Sequence, residues 1–142
     1  MLAGDRLDTL TFQSKHDYSD AQAGIEVPIS LAVAGERTVR LRAKVDTGAS
    51  FCIFQREYAE QLGIEVESGR HQEVRTANGG SFSVYGHMVT LSCLDWEFET
   101  MVYFATPDEF KRNVVGRTGW LQHFRLGLID HDAVLFLSHY DD

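Results

Sequence analysis

Two runs of strict alternation constrain this chain before anything else. Ile25, Val27, Ile29, Leu31 and Val33 are apolar at every second position. Val39, Leu41, Ala43 and Val45 repeat the pattern, with Arg40, Arg42 and Lys44 between them. A period of two puts one set of side chains on a buried face and the other in water, which is a strand signature. Ala34-Gly35-Glu36-Arg37 reads as the turn that joins the two into a β-hairpin. Pro28 has no N–H for a ladder, so it is expected on the polar side of its arm or at an edge. The second arm runs into Asp46-Thr47-Gly48-Ala49-Ser50. An acid after four core-facing positions, followed by glycine, is a poor strand end for structure alone. It is a good way to hold a carboxylate at the floor of a cleft. Asp and Gly are also turn formers, and chance supplies Asp-Thr-Gly in about 2–3% of chains of this length. The tripeptide alone therefore leaves a plain turn open, and its context has to decide.

The rest of the chain is also rich in strand signals. Phe51-Cys52-Ile53-Phe54 reads as a short buried strand. Residues 55–62 read as a short helix with Tyr58, Ala59 and Leu62 on one face and Gly63 as its stop. Residues 71–77 and 81–93 flank Asn78-Gly79-Gly80, a strong hairpin-tip signal. Trp96, Phe98, Val102 and Phe104 fall at even spacing and predict another strand. Residues 107–112 read as a polar loop, Val114-Val115 as a short strand, 117–124 as a second short helix, and two strands close the chain. Leu10 and Phe12 hint at alternation within residues 1–21, an N-terminal arm or an added edge strand. The pattern is all-β with two short helices, which favours a small closed or folded barrel.

Composition narrows the function. With 142 residues and 44% hydrophobic content, the chain suits one domain with a modest core. Its 13 basic and 21 acidic residues leave a net charge of −8, which argues against nucleic-acid binding. The basic row Arg40, Arg42 and Lys44 reads as the solvated face of a strand. The opening residues, Met1-Leu2-Ala3-Gly4-Asp5-Arg6, lack a signal-peptide shape. No stretch approaches the roughly 18 apolar residues of a membrane span. A cytoplasmic setting with no membrane partner is the expectation. Cys52 and Cys93 both sit in apolar runs and read as buried thiols, with a disulfide between them left open. None of the six histidines stands in a zinc-binding pattern. Asp130-His131-Asp132 has liganding residue types but reads as a turn between the last strands. There is no Gly-x-Ser-x-Gly elbow and no phosphate loop.

Residues 113–121 read Asn-Val-Val-Gly-Arg-Thr-Gly-Trp-Leu. With this run the chain resembles the retropepsin-like (retroviral-type) aspartic proteases, in their bacterial or cellular form. Asp46-Thr47-Gly48-Ala49 is similar to the family's catalytic loop, and Val114-Val115-Gly116-Arg117 to its C-terminal signature. Asn78-Gly79-Gly80 stands between them, where the family places its flap. The resemblance covers roughly residues 22–138, and the order and spacing of the motifs carry it.

The resemblance implies an acid-protease half-barrel, with the protease domain over residues 22–142. It also implies an aspartic endopeptidase that cuts a peptide or protein substrate and needs no cofactor and no metal. Asp46 would be the catalytic acid. Thr47 would lock its loop to a partner loop, Gly48 would permit close approach, and Ala49 would line the cleft. Asn78, Gly79 and Gly80 would close over an extended peptide, and Gly116 and Arg117 would support the loop. The chemistry needs two carboxylates and the sequence has one such motif, so the expected form is a homodimer. Residues 134–137, as an apolar edge strand, together with residues 8–13, are the expected extra contact. Many viral members carry aspartate where Ser50 stands, paired with the arginine that Arg117 matches. With serine there, a buried Arg117 needs another partner, because an unpaired buried guanidinium is costly. A non-catalytic domain of the same fold, used for peptide binding or assembly, is the alternative.

Overall fold

In a computed structural model, residues 6–22, 24–33 and 37–142 are described. The alternating runs form β2 (Glu26–Val33) and β3 (Arg37–Val45). They pair antiparallel with Val27 opposite Ala43, Ile29 opposite Leu41 and Leu31 opposite Val39. All six of these side chains are buried, and Pro28 is exposed between them. The turn expected at residues 34–36 lies outside the described residues.

The strands that follow are β4 (Ile53–Phe54), β5 (Arg70–Arg75), β6 (Ser81–Cys93), β7 (Trp96–Ala105) and β8 (Val114–Val115). They join the first hairpin in one sheet of order β2-β3-β8-β4-β7-β6-β5. The 13 residues of β6 make it long enough to serve two partners along one edge while β7 pairs along the other. Its first half pairs with β5, and near its other end Leu91 pairs with Leu31 of β2. That second pairing closes the sheet into a ring, which is the folded barrel expected from the sequence. Phe54, Phe104, Leu31, Leu91 and Trp120 fill its interior. The one α-helix among the described residues, α1 (Arg56–Gln61), buries Ala59 and ends at Gly63, whose φ of +78° suits a residue without a β-carbon.

A second sheet has the order β1 (Ser14–Asp17), β10 (Val134–His139), β9 (Phe124–Ile129). It corrects two expectations. The edge strand from the first segment lies at Ser14–Asp17 and not around Leu10 and Phe12; Phe12 instead packs its ring 5.7 Å from that of Phe136. More importantly, β10 is the centre of its sheet, paired on both sides, so it offers no edge for a second chain. Among the described residues, the edges of this sheet are β1 and β9.

The second helix also takes a different form. Residues 117–124 contain one 3-10 turn, Leu121–His123, and Phe124 already belongs to β9. Gly119 explains this, because its φ of +97° is incompatible with a continuous right-handed helix. A β-carbon there would sit 2.7 Å from the Met101 carbonyl oxygen. Asp130–Asp132 forms the tight turn between β9 and β10, as its composition implied.

Candidate active site

The loop after β3 is held from below by the chain around β8. β8 runs parallel to β3, with Val115 beside Val45. The Asp46 amide donates to the Val115 carbonyl at 3.0 Å. Asp46 Oδ1 then accepts the Gly48 amide at 2.9 Å, and the Asp46 carbonyl accepts the Ala49 amide at 3.1 Å. The Asp-Thr-Gly segment is thus a tight turn, and the acid's own side chain closes it. Turn and presented carboxylate are the same structure. Asp46, Thr47 and Gly48 are exposed, and Ala49 is half-buried.

Residues 116–118 pass directly under this loop. The Arg117 amide donates to Ala49 at 2.9 Å and the Thr118 amide to Ser50 at 2.9 Å. Gly116 is buried between them, and a β-carbon on it would lie 2.7 Å from the carbonyl oxygens of both Ala49 and Phe51. Only glycine permits that approach.

Arg117 departs from expectation. Its side chain is exposed and makes no hydrogen bond or ion pair among the described residues. Thr118 bridges Phe51, Gly116 takes the buried position against the loop, and the chain turns outward at Arg117 and Thr118, which are both exposed. With Ser50 in place of an acid, nothing draws the guanidinium inward. Arg117 instead borders a shallow groove of about 410 Å³ beside Ser50 and Gln122. It supports the loop through its amide alone. Arg117→Ala is therefore expected to shift the unfolding free energy of the chain by less than about 0.5 kcal/mol, the range of ordinary surface changes. Urea titration checks this, and a loss several times larger would mean that the side chain is engaged.

Asn78, Gly79 and Gly80 form the tip of the β5–β6 hairpin. The Thr76 amide donates to Gly80 at 2.8 Å and the Gly79 amide to Thr76 at 3.1 Å. The Asn78 side chain accepts the Gly80 amide at 3.3 Å. Gly79 has a φ of +90° and nothing within 4 Å of its missing β-carbon. The tip is exposed and shares an open cleft of about 860 Å³ with Asp46 and Ala49. Asn78 and Gly80 line that cleft, whereas Thr47, Gly48 and Gly79 do not.

Sequence reasoning missed a further stretch of the cleft's border. Glu109, Phe110, Lys111 and Arg112 also border the cleft, over a floor that includes Ile53, Val74 and Phe82. Phe110 was the available signal, the one large apolar side chain in a polar run. Its ring lies 5.1 Å from that of Phe82.

Cys52 and Cys93 are free and buried. Burial pushes both thiols up to about 12, so neither supplies a nucleophile. A thiol reagent at mildly alkaline pH is expected to label neither until urea unfolds the chain. Rapid labelling of the native protein would contradict this burial. Among the described residues, no helix is long and apolar enough to cross a membrane.

The family model described as aspartyl protease matches residues 29–119, from within β2 to the glycine beyond Arg117. Among solved structures, a retropepsin-like aspartic protease from Rickettsia conorii aligns with a TM-score of 0.59 at 21% identity, over 79% of this chain and 89% of that one. EIAV protease, solved in complex with the inhibitor HBY-793, aligns with a TM-score of 0.51 at 16% identity, over 69% of this chain and 86% of that one. At these identities the likeness is one of fold. No curated protein sequence matches. The family match spans most of the chain and the ring-like sheet agrees with it: this chain belongs to the aspartyl protease family and has the retropepsin-like fold.

Proposed function

We propose that the protein is an aspartic endopeptidase, active as a homodimer in which each copy supplies one Asp46. The observation that carries this is the placement of Asp46. It ends a core strand, its Oδ1 is fixed by the Gly48 amide, and it faces an open cleft. Two such carboxylates brought together across a two-fold axis cannot both ionise cheaply, so they share one proton, as aspartic proteases do. The ionised member takes a proton from a water molecule while the other donates to the substrate carbonyl oxygen. The water oxygen bonds to the carbonyl carbon and gives a tetrahedral intermediate. Collapse of that intermediate breaks the C–N bond, and the amine leaves with a proton returned by the pair. The pair titrates as a unit.

The outward faces of Asp46, Thr47 and Gly48 are exposed in the single chain, which suits contact with the same loop of a second copy. We place the working domain over residues 22–142, with β1 added to the edge of its last sheet. Since β10 is paired on both sides, a contact between copies that adds a strand to this sheet would run through β1 or β9. Leu128 and Ile129 of β9 are 41% and 46% exposed. The two free thiols suit a reducing compartment and support a cytoplasmic setting.

The tip at residues 78–80 acts in this reading as a flap, which opens to admit a peptide and closes to exclude water. Replacing Gly79 and Gly80 together with alanine is expected to lower kcat/KM several-fold. The stability cost should be no more than about 1–2 kcal/mol, because the strain of a positive φ is local. Wild-type turnover by the double variant would remove the flap from the mechanism.

The direct test of the activity is cleavage of an unfolded protein at acidic pH, with and without a peptide-like aspartic protease inhibitor. Inhibitor-sensitive cleavage supports the reading. Peptide binding without cleavage would favour a binding module of the same fold.

A further inference from the structure

The cleft carries a charge balance opposite to that of the chain. The protein has 21 acidic and 13 basic residues. Yet among the described residues the cleft is bordered by Arg75, Lys111 and Arg112 against Asp46 and Glu109. The three cations are exposed. The arginines engaged in ion pairs among the described residues, Arg42 and Arg56, do not border the cleft.

Two of the cations are held in place by what flanks them. On one side, Phe110 packs against the small cluster around Val84 and Tyr103, with its ring against Phe82. On the other, the Asn113 carbonyl accepts the Lys44 amide at 2.8 Å, and Asn113 Oδ1 accepts the Gln55 amide at 3.1 Å. Lys111 and Arg112 stand between these anchors and project at the rim. Arg75 closes the pattern from the last residue of β5, opposite Ser81. The floor between is apolar and half-buried.

We propose that this cleft selects peptides in which an apolar side chain has an acidic residue two positions away. The inference rests on the cleft being the substrate site. An extended peptide puts residues i and i+2 on one face. The apolar side chain then seats on Val74, Phe82 and Phe110, and the carboxylate reaches Lys111 and Arg112, with Arg75 approaching from the hairpin. Glu109 and the shared charge of the Asp46 pair oppose this, and the three cations outnumber them. Exposed ion pairs each contribute a factor of up to about five. The discrimination expected from the loop cations is therefore about fivefold to tenfold.

The test measures binding, so it does not depend on turnover. Short fluorescent peptides, identical except for Glu or Gln two residues from a Phe, are titrated against the Asp46→Asn protein. The Glu peptide is expected to bind about fivefold tighter at low salt. High salt should shrink the preference, since screening shortens the reach of exposed charges. The Lys111→Gln/Arg112→Gln change, made in the same background and checked by circular dichroism, should abolish it. Equal binding of both peptides, no binding of either, or a Glu preference that survives the double change would overturn the proposal. Cleavage by the wild-type protein without acidic preference would sink this inference and leave the protease reading standing. Acid-selective binding by a protein that never cleaves would do the reverse.

Discussion

Asp46→Asn is expected to lower kcat/KM by a factor on the order of 10³ or more while the fold stays intact. Loss of a positioned acid–base group costs about 10² to 10⁴ in rate, and in the proposed homodimer one substitution removes the group from both halves of the site. The fold should survive because asparagine keeps the same shape. Its side-chain oxygen can still accept the Gly48 amide that Asp46 Oδ1 accepts at 2.9 Å. The residue is exposed, so losing its charge leaves no buried group without a partner. Circular dichroism, urea unfolding and a cleavage assay on one preparation separate the two effects. Undiminished cleavage by the Asn variant would rule out the aspartic mechanism.

Gly116→Ala is expected to destabilise the chain by about 1–3 kcal/mol, the usual cost of forcing a methyl group into packed space. The new β-carbon would stand 2.7 Å from two carbonyl oxygens and 3.0 Å from the Ala49 β-carbon. The obstructing oxygens belong to backbone, which cannot swing aside as a flexible side chain would. Relief has to come from moving the 49–51 segment, and that segment positions Asp46. Activity should therefore fall by more than the loss of folded protein explains. Arg117→Ala, one residue away, should do neither to any comparable degree. A wild-type urea midpoint and wild-type activity for Gly116→Ala would mean that the two segments do not pass this closely.

The contrast between these neighbours shows where the sequence was legible. Local periodicity revealed β2, β3 and β7, because an apolar residue at even spacing is a property of one segment, and β5 and β6 were legible from the hairpin tip between them. The tip at residues 78–80 and the Gly63 stop were legible because glycine there answers a local backbone demand. Pairing is not local. Nothing in β6 alone says that Leu91 meets Leu31 and closes the ring. Nothing in β10 alone says that both its edges are taken. The side of the chain on which Arg117 falls depends on Gly119 breaking the helix and on Gly116 needing the inner position. The cationic rim was hidden for the same reason, since Lys111 and Arg112 meet Arg75 only through the fold.

The central claim is that one active site needs two copies of this chain. Wild-type protein mixed with increasing amounts of Asp46→Asn chains, at fixed wild-type concentration and after time for exchange, tests it directly. If each site needs an Asp46 from both copies, heterodimers are inactive. Activity per wild-type chain should then fall in proportion to the wild-type share of the mixture. Dilution of wild-type protein alone should also lower its specific activity. Activity that ignores both the added Asn chains and the dilution, from a species that sediments as a monomer, would contradict the account.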